Sequence, residues 1–238
     1  MHPNLLAAQR FLMGFWHSDS STAKVTSSYN ISYADRLRIR QPGDSRFALG
    51  PHVDGGSCER WEENGFGKGG VYDRVWQGRW EEFDPWESSG RLTAVTDLYE
   101  GIGQCSVFRM LQGWLSMSST SPGEGTLKVN PLLQLAISYY LLRPFFRPIY
   151  VAESQDGAQL NASFLDAENW VLEDPFSSKL EGAAMGRALE PKHAQHPHLN
   201  LEQTMVHVPA VAPGDYVAWH CDGRCRSFLS RIGLCTFR

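Results

Sequence analysis

Apolar residues near the start of the chain recur at helical spacing. Ala8, Leu12, Phe15 and Trp16 stand at positions i, i+4, i+7 and i+8 of the stretch 4–16. Such a stripe lies along one face of an α-helix. The pattern therefore predicts an amphipathic helix that packs against the outside of a domain.

The period changes to two from Tyr33 onward. Leu37 and Ile39 alternate there with arginines, up to a turn signal at 41–44. This alternation predicts a β-strand with one basic, solvated face. A second extended segment is predicted at about 46–54, and it carries His52 and Asp54.

His52 and Asp54 are the residues of this strand with chemical interest. Successive side chains in a strand alternate between its two faces, so residues i and i+2 point to the same side. The two side chains can therefore bind one ion, while Val53 faces away.

The remainder of the chain reads as mostly extended. The segment 58–90, rich in tryptophan and glycine, is predicted to be a long connection whose tryptophans either pack against the domain or line a pocket. A buried strand at 105–118 is predicted to form a hairpin with 126–129, and the apolar segment 131–142 fits either helix or strand. Two more strands are predicted at 206–211 and 216–220.

Composition and charge narrow the function classes. The 238 residues are 42% hydrophobic with a net charge of −4, which fits one globular domain over 1–238 and argues against nucleic-acid or anionic-membrane partners. A membrane-spanning run and a signal peptide are both absent from the sequence, so a cytoplasmic location is expected. The five cysteines are scattered and form no CxxC pair.

A His-x-Asp pair on a strand supplies two of the three ligands of a facial triad, the arrangement that holds Fe(II) in oxygenases and leaves three coordination positions open. The context of His52 and Asp54 resembles the Fe(II)/2-oxoglutarate dioxygenase superfamily, in particular its phytanoyl-CoA-hydroxylase-like branch. More closely, the chain is similar to a fungal and bacterial family of unknown function assigned to that superfamily. The similar segments are 2–6, 36–40, 50–57, 78–86 and 213–222.

The resemblance implies a fold, cofactors and a reaction. The implied fold is mainly β with flanking helices, a double-stranded β-helix or jelly-roll. The implied cofactors are Fe(II) and 2-oxoglutarate, used to hydroxylate a small molecule whose identity the sequence does not indicate. A cation would pair with the distal carboxylate of 2-oxoglutarate, and the candidates are Arg38, Arg40 and Arg109.

The chain departs from the family pattern after Asp222. The family has a second histidine, the distal iron ligand, at the position that Cys225 occupies here. Residues 223–238 resemble no part of the family, and the chain is expected to be truncated at both ends, with an incomplete jelly-roll.

Three interpretations of the third ligand stay open. Cys225 could bind the iron as a thiolate, His220 could substitute for it, or the third ligand is absent. If His220 and Cys225 belong to one strand, their spacing of five puts them on opposite faces.

Functions of different classes follow from these alternatives. The first is a 2-oxoglutarate-dependent oxygenase that the departure at Cys225 could disable. The second is a non-catalytic, cupin-like binding or scaffold protein that has lost its metal centre. The eight tryptophans suggest a third, a carbohydrate-binding β-sandwich, which would display exposed, coplanar aromatic rings.

Overall fold

Short antiparallel strands dominate the structure, a computed structural model that describes residues 2–33, 36–39, 49–102, 104–150 and 162–227. The strands are β1 His52–Val53, β2 Leu111–Leu115, β3 Leu127–Asn130, β4 Phe146–Pro148, β5 Trp170–Leu172, β6 Val206–His207, β7 Tyr216–His220 and β8 Arg224–Ser227. The α-helices are α1 Pro3–Met13, α2 Asp73–Trp76, α3 Leu133–Leu142, α4 Ala162–Leu165 and α5 Leu201–Thr204. Short 3₁₀ helices lie at Cys58–Arg60, Phe66–Gly69, Trp80–Glu82, Ser89–Leu92, Arg143–Phe145, Ala167–Asn169 and Pro197–Leu199.

The largest sheet has four strands in the order β1-β8-β3-β6. Strand β8 lies between β1 and β3, so position 225 is the register partner of His52 on one side and of Val129 on the other. The first residues of the predicted atypical tail therefore form a strand inside this sheet. Residues 228–238 lie outside the described part.

A second sheet pairs β2 with β7 over five residues. At Gly113 the two backbones approach so closely that a Cβ atom would stand 2.1 Å from the carbonyl oxygen of Val217. The predicted hairpin between 105–118 and 126–129 is therefore wrong, because β2 and β3 belong to different sheets. Strand β2 is also less buried than predicted, with Leu115 47% exposed.

The two sheets share a core. Val208, Val211 and Val217 are buried in it, and Trp114 from β2 and Leu127 from β3 pack against them. Apolar side chains from both sheets thus exclude water from the same interior. The mainly β architecture with flanking helices that the sequence predicts is confirmed at this level.

A separate core forms around α3. This helix is almost entirely apolar, and its Ile137 and Leu141 pack against Phe66, Tyr72 and Val75 from the connection between β1 and β2. Burial on several faces accounts for the uniform apolar character of α3. The helical alternative for 131–142 is the correct one.

The first helix is shorter than its apolar stripe. Helix α1 ends at Met13, and the chain turns at Gly14, so Trp16 leaves the helix and is buried elsewhere, with 4% of its surface exposed. Leu12 is buried as predicted, whereas Phe15 is half exposed. Across the described residues, no helix is both long and apolar enough to cross a bilayer.

The alternating segment that starts at Tyr33 does not form the predicted strand where it is described. Residues 36–39 have no strand pairing, and Leu37 and Ile39 are 70% and 74% exposed. Alternation predicts a strand only where a neighbouring strand is available to pair with it and bury one face. Position 40 and the following residues up to 48 lie outside the described part.

Candidate functional site

The His52–Asp54 pair lies at the end of β1. The His52 Nε2 atom is 3.8 Å from Asp54 Oδ1, and the two side chains are 12% and 31% exposed. A strand places residues i and i+2 on one side. The expected juxtaposition of these two side chains is therefore present in the structure.

A backbone carbonyl fixes the orientation of the His52 ring. The His52 Nδ1 atom lies 2.8 Å from the carbonyl oxygen of Gly50. A carbonyl oxygen can only accept, so Nδ1 carries the proton and, in the neutral ring, Nε2 carries the lone pair. Metal-binding histidines are held in this way by a hydrogen bond from the other ring nitrogen.

The ligand types of the pair fit a metal ion. Two ligands at right angles on one ion, each about 2.1 Å from it, have their binding atoms about 3.0 Å apart. His52 Nε2 and Asp54 Oδ1 are 3.8 Å apart, so a side-chain movement of less than about 1 Å would bring them to that separation. An imidazole nitrogen and a carboxylate oxygen are also the ligand types of Fe(II) facial triads.

Position 225, the third candidate ligand position, lies next to His52 in the backbone of the sheet. It is the direct register partner of His52 across the β1–β8 pair. Directly opposed residues of an antiparallel pair share one face of the sheet. The sheet therefore places position 225 opposite His52 in the backbone register.

The chain turns sharply after Asp54. Gly55 and Gly56 have φ angles of +77° and +100°, and a Cβ on Gly56 would stand 3.0 Å from the Phe66 ring. Only glycine adopts such angles at no steric cost. The turn sends the chain back over β1, so that the guanidinium of Arg60 reaches the carbonyl oxygens of Asp54 and Gly55, at 3.2 and 3.5 Å.

A second His-x-Asp sequence, His220 and Asp222, lies at the end of β7 and is fully engaged by protein groups. The His220 Nε2 atom donates to the Pro85 carbonyl oxygen at 2.9 Å, and Nδ1 accepts from the Asp222 amide at 3.0 Å. The ring stacks on Trp16 with centroids 4.6 Å apart. Burial lowers the pKa of His220 to about 4, so the imidazole is neutral at pH 7.

Two buried arginines hold the Asp222 carboxylate. Arg60 Nη1 lies 2.7 Å from Oδ1 and Arg91 Nη2 lies 2.6 Å from Oδ2, and all three side chains are at least 97% buried. Tyr72 hydrogen-bonds Arg60 and lies 3.4 Å from Asp222. Burial alone would raise the pKa of Asp222, but the charges of Arg91 and Arg60 outweigh it and hold that pKa far below its ordinary value. We call Arg60, Tyr72, Arg91 and Asp222 the clamp.

His220, Cys221 and Asp222 have donor atoms within 4.8 Å of one another, but they do not form a metal site. Both nitrogens of His220 and both oxygens of Asp222 already have protein partners. Burial also raises the pKa of the Cys221 thiol to about 12, which keeps it protonated. His220 is therefore not available as the third ligand, and one of the three alternatives is excluded.

A cleft opens beside the turn that follows Asp54. Its cavity volume is about 20 Å³, room for about one water molecule, and Phe66, Phe108 and Val107 give it apolar walls. Arg91 and Arg109 also line it. Within the described residues, Arg109 has no hydrogen bond or ion pair, and the Nε of Arg91 is buried without an acceptor.

The three candidate cations are placed differently. Arg109 lines the cleft, whereas Arg38 lies in the exposed segment 36–39 and is not part of the lining. Arg40 lies outside the described residues. Of the two described candidates, Arg109 is the one that lines the cleft, together with Gly55, the residue after Asp54.

The tryptophans do not form a binding platform. Trp61 and Trp80 pack against the α3 core, and none of the eight contributes to the lining of the cleft. Trp76, at 38%, is the one tryptophan more than a third exposed. The packing interpretation of the tryptophan-rich connection is therefore supported, and a carbohydrate-binding row of exposed coplanar rings is not present.

Sequence comparison identifies the family. The profile of the Gig2-like family matches residues 1–225. The chain belongs to the Gig2-like family. This Gig2-like chain is 32% identical to the uncharacterized protein YbiU of Escherichia coli (strain K12) over 216 residues, which is 90% of the chain and 44% of YbiU.

Solved structures agree with this relationship. GlcNAc Inducible Gene 2, GIG2 (DUF1479), from Candida albicans has a TM-score of 0.80 and 32% identity, and the match covers 97% of the Gig2-like chain and 47% of GIG2. A candidate oxidoreductase from Salmonella typhimurium LT2 has a TM-score of 0.71 and 30% identity, with 97% and 49% covered. The chain therefore spans about half the length of these relatives.

Sequence reasoning missed the clamp. Arg60 lies in the tryptophan-rich connection 58–90 and Arg91 follows it directly, and an arginine that becomes buried has the same local sequence pattern as one on the surface. The available signal was Asp222, which belongs to the family-like segment 213–222. Its partners are 131 and 162 positions away in the sequence, so no local pattern reveals them.

Proposed function

We propose that this Gig2-like chain carries the metal centre of an Fe(II)- and 2-oxoglutarate-dependent oxygenase. The observation that carries the proposal is the oriented pair at β1. Gly50 holds the His52 ring so that Nε2 lies 3.8 Å from Asp54 Oδ1, next to a cleft lined by Arg109. The candidate oxidoreductase among the structural relatives supports a redox function of this kind.

In this proposal, position 225 supplies the third protein ligand. The β1–β8 register pairs it with His52, and a cysteine thiolate is an effective metal ligand. The site would then be a His–Asp–Cys set rather than the usual pair of histidines with one carboxylate. The shared core of the two sheets supports a jelly-roll arrangement as the scaffold for such a site.

The cleft, once its walls move apart, would hold the organic acid. Arg109 would pair with the distal carboxylate of 2-oxoglutarate, since its guanidinium is otherwise unpaired among the described residues and a guanidinium binds a carboxylate through two parallel hydrogen bonds. Phe66 and Phe108 would exclude water from the bound acid. Iron and 2-oxoglutarate would supply the oxidising chemistry when bound, and the protein would orient them.

The test is Fe(II)-dependent consumption of 2-oxoglutarate by the purified chain. We expect calorimetry without oxygen to detect Fe(II) binding, and succinate to form once oxygen and 2-oxoglutarate are present. The His52→Ala variant removes one ligand and should lose both. A parent chain that neither binds Fe(II) nor forms succinate would contradict the proposal.

A non-catalytic binding protein is the second candidate. Cysteine at position 225, where the family has a histidine, favours it, because loss of the distal ligand would leave the acid-binding cleft and remove the chemistry. In that case 2-oxoglutarate binds equally with and without Fe(II), and no succinate forms. The same titrations therefore separate the two functions.

A further inference from the structure

Strands β1 and β8, which carry the candidate ligands, are joined by very little backbone pairing. Among the described residues, two residue pairs connect them, His52 with Cys225 and Val53 with Arg224. Metal affinity depends on ligand geometry, and the groups that orient the ligands change it by about tenfold to a hundredfold. Two residue pairs restrain that geometry weakly. A second restraint between the two segments would therefore increase metal affinity.

The clamp provides such a restraint. One guanidinium, that of Arg60, donates from Nη2 to the backbone carbonyl of Asp54 and from Nη1 to the carboxylate of Asp222. Asp54 is a candidate ligand, and Asp222 lies three residues before the candidate ligand at 225. Arg60 therefore spans the two chain segments that must meet around one ion.

The composition of the clamp points to geometry rather than stability as its role. Three charged side chains, Arg60, Arg91 and Asp222, are each at least 97% buried. Buried ion pairs of this kind are often no more stabilising than well-packed apolar residues of the same volume, because desolvation offsets their attraction. Their hydrogen bonds do, however, fix positions within narrow limits.

We propose that Arg60 is a positioning residue for the metal site, holding the Asp54 segment against the β7–β8 turn so that His52, Asp54 and position 225 meet. This inference rests on the proposed function, because it requires the metal site to exist. Tyr72 assists by hydrogen-bonding both Arg60 and, more weakly, Asp222. Arg91 holds the other oxygen of Asp222 and makes no hydrogen bond to the Asp54 segment.

The difference between the two arginines gives a matched pair of variants. Arg60→Lys and Arg91→Lys each keep one buried positive charge beside Asp222 and lose the planar fork. Only Arg60→Lys also removes the link to the Asp54 carbonyl. The probe is Co(II), whose visible spectrum reports the geometry and number of its ligands, and thermal unfolding is measured in parallel.

We expect Arg60→Lys to bind Co(II) about tenfold more weakly than the parent, with a changed visible spectrum. Arg91→Lys should lose at least as much thermal stability and yet weaken Co(II) binding clearly less than Arg60→Lys does. Tyr72→Phe, a milder change that preserves both arginines, should weaken Co(II) binding about threefold. If Arg60→Lys does not fold, Tyr72→Phe tests the inference in its place.

Two outcomes overturn the inference while leaving the metal site in place. One is parental Co(II) affinity and spectrum in Arg60→Lys, or in Tyr72→Phe if only that variant folds. The other is an equal loss of affinity in both lysine variants, which assigns the clamp a structural role alone. A parent chain whose Co(II) affinity is no higher than that of His52→Ala overturns the proposed function, and this inference with it.

Discussion

The chain contains two His-x-Asp sequences, and they have different environments. His52 and Asp54 are partly exposed, and His52 Nε2 lies 3.8 Å from Asp54 Oδ1. His220 and Asp222 are buried, and their nitrogen and oxygen atoms are all bonded to protein groups. A motif therefore indicates which atoms are present, whereas its hydrogen bonds decide whether those atoms can bind a metal.

The largest expected difference between the two motifs is in folding stability. Asp222→Asn should reduce the free energy of unfolding by about 3–5 kcal/mol, because it leaves two buried guanidinium groups without their counter-charge. Asp54→Asn should reduce it by less than about 1 kcal/mol, because that side chain is 31% exposed. Urea denaturation measures both values, and equal losses would contradict the contrast.

The second expected difference is in acid sensitivity. The pKa of His220 is about 4 in the folded protein, against about 6.5 in an unfolded chain, so the unfolded state takes up the proton first as the pH falls. The stability linked to His220 is complete above about pH 6.5 and is lost as the pH falls toward 4, by about 3 kcal/mol at most.

His220→Gln should therefore flatten the dependence of unfolding free energy on pH between about 6.5 and 4. The parent chain, measured under the same conditions, is the control. Chemical denaturation at a series of pH values gives both slopes. An unchanged slope in His220→Gln would assign the acid sensitivity to other groups.

The third expected difference concerns the cysteines near the two motifs. Cys225→His places the family's usual ligand opposite His52 and should tighten Fe(II) binding at least tenfold, about 1.4 kcal/mol. Cys221→Ser alters the cysteine inside the other motif and should leave Fe(II) affinity unchanged. Calorimetry without oxygen measures both affinities. An equal change in Fe(II) affinity in Cys221→Ser and Cys225→His would contradict the expected difference between the two cysteines.

The smallest expected effect is on the organic acid. Arg109→Gln should weaken 2-oxoglutarate binding about fivefold to tenfold, roughly 1 kcal/mol, because it removes the charged partner of the distal carboxylate. Arg79→Gln, which changes an exposed arginine paired with Glu82, is the control and should have no effect on the acid. Equilibrium binding of 2-oxoglutarate in the presence of Co(II) distinguishes the two variants.

The sequence predicted the local features of the fold and failed on the distant ones. Strand β7, helix α1 and the His52–Asp54 pair follow from periodicity, which depends on residues a few positions apart. The pairing of β2 with β7, instead of with β3, depends on segments about a hundred positions apart and has no local signal. The structural role of His220 was equally hidden, because it depends on Pro85 and Trp16.

The candidate site shows the same division. His52, Asp54 and position 225 were identified from a motif and a resemblance, and the β1–β8 register pairs position 225 with His52. Arg109 was one of three equivalent arginines in the sequence, and only its position beside the cleft separates it from Arg38. Arg60 and Arg91 had no signal at all, since burial of a charge is decided by its partners.

The position of β8 within its sheet has a consequence for biosynthesis. Strand β8 lies between β1 and β3, yet the clamp residues that join its turn to β1 are 162 positions apart in the sequence. During synthesis, the edges of β1 and β3 that pair with β8 have unpaired backbone groups until β8 is made. Unpaired strand edges are prone to aggregation. The ribosome must therefore reach position 225 before His52 can meet its register partner, and in the proposed function iron would be bound only after that step.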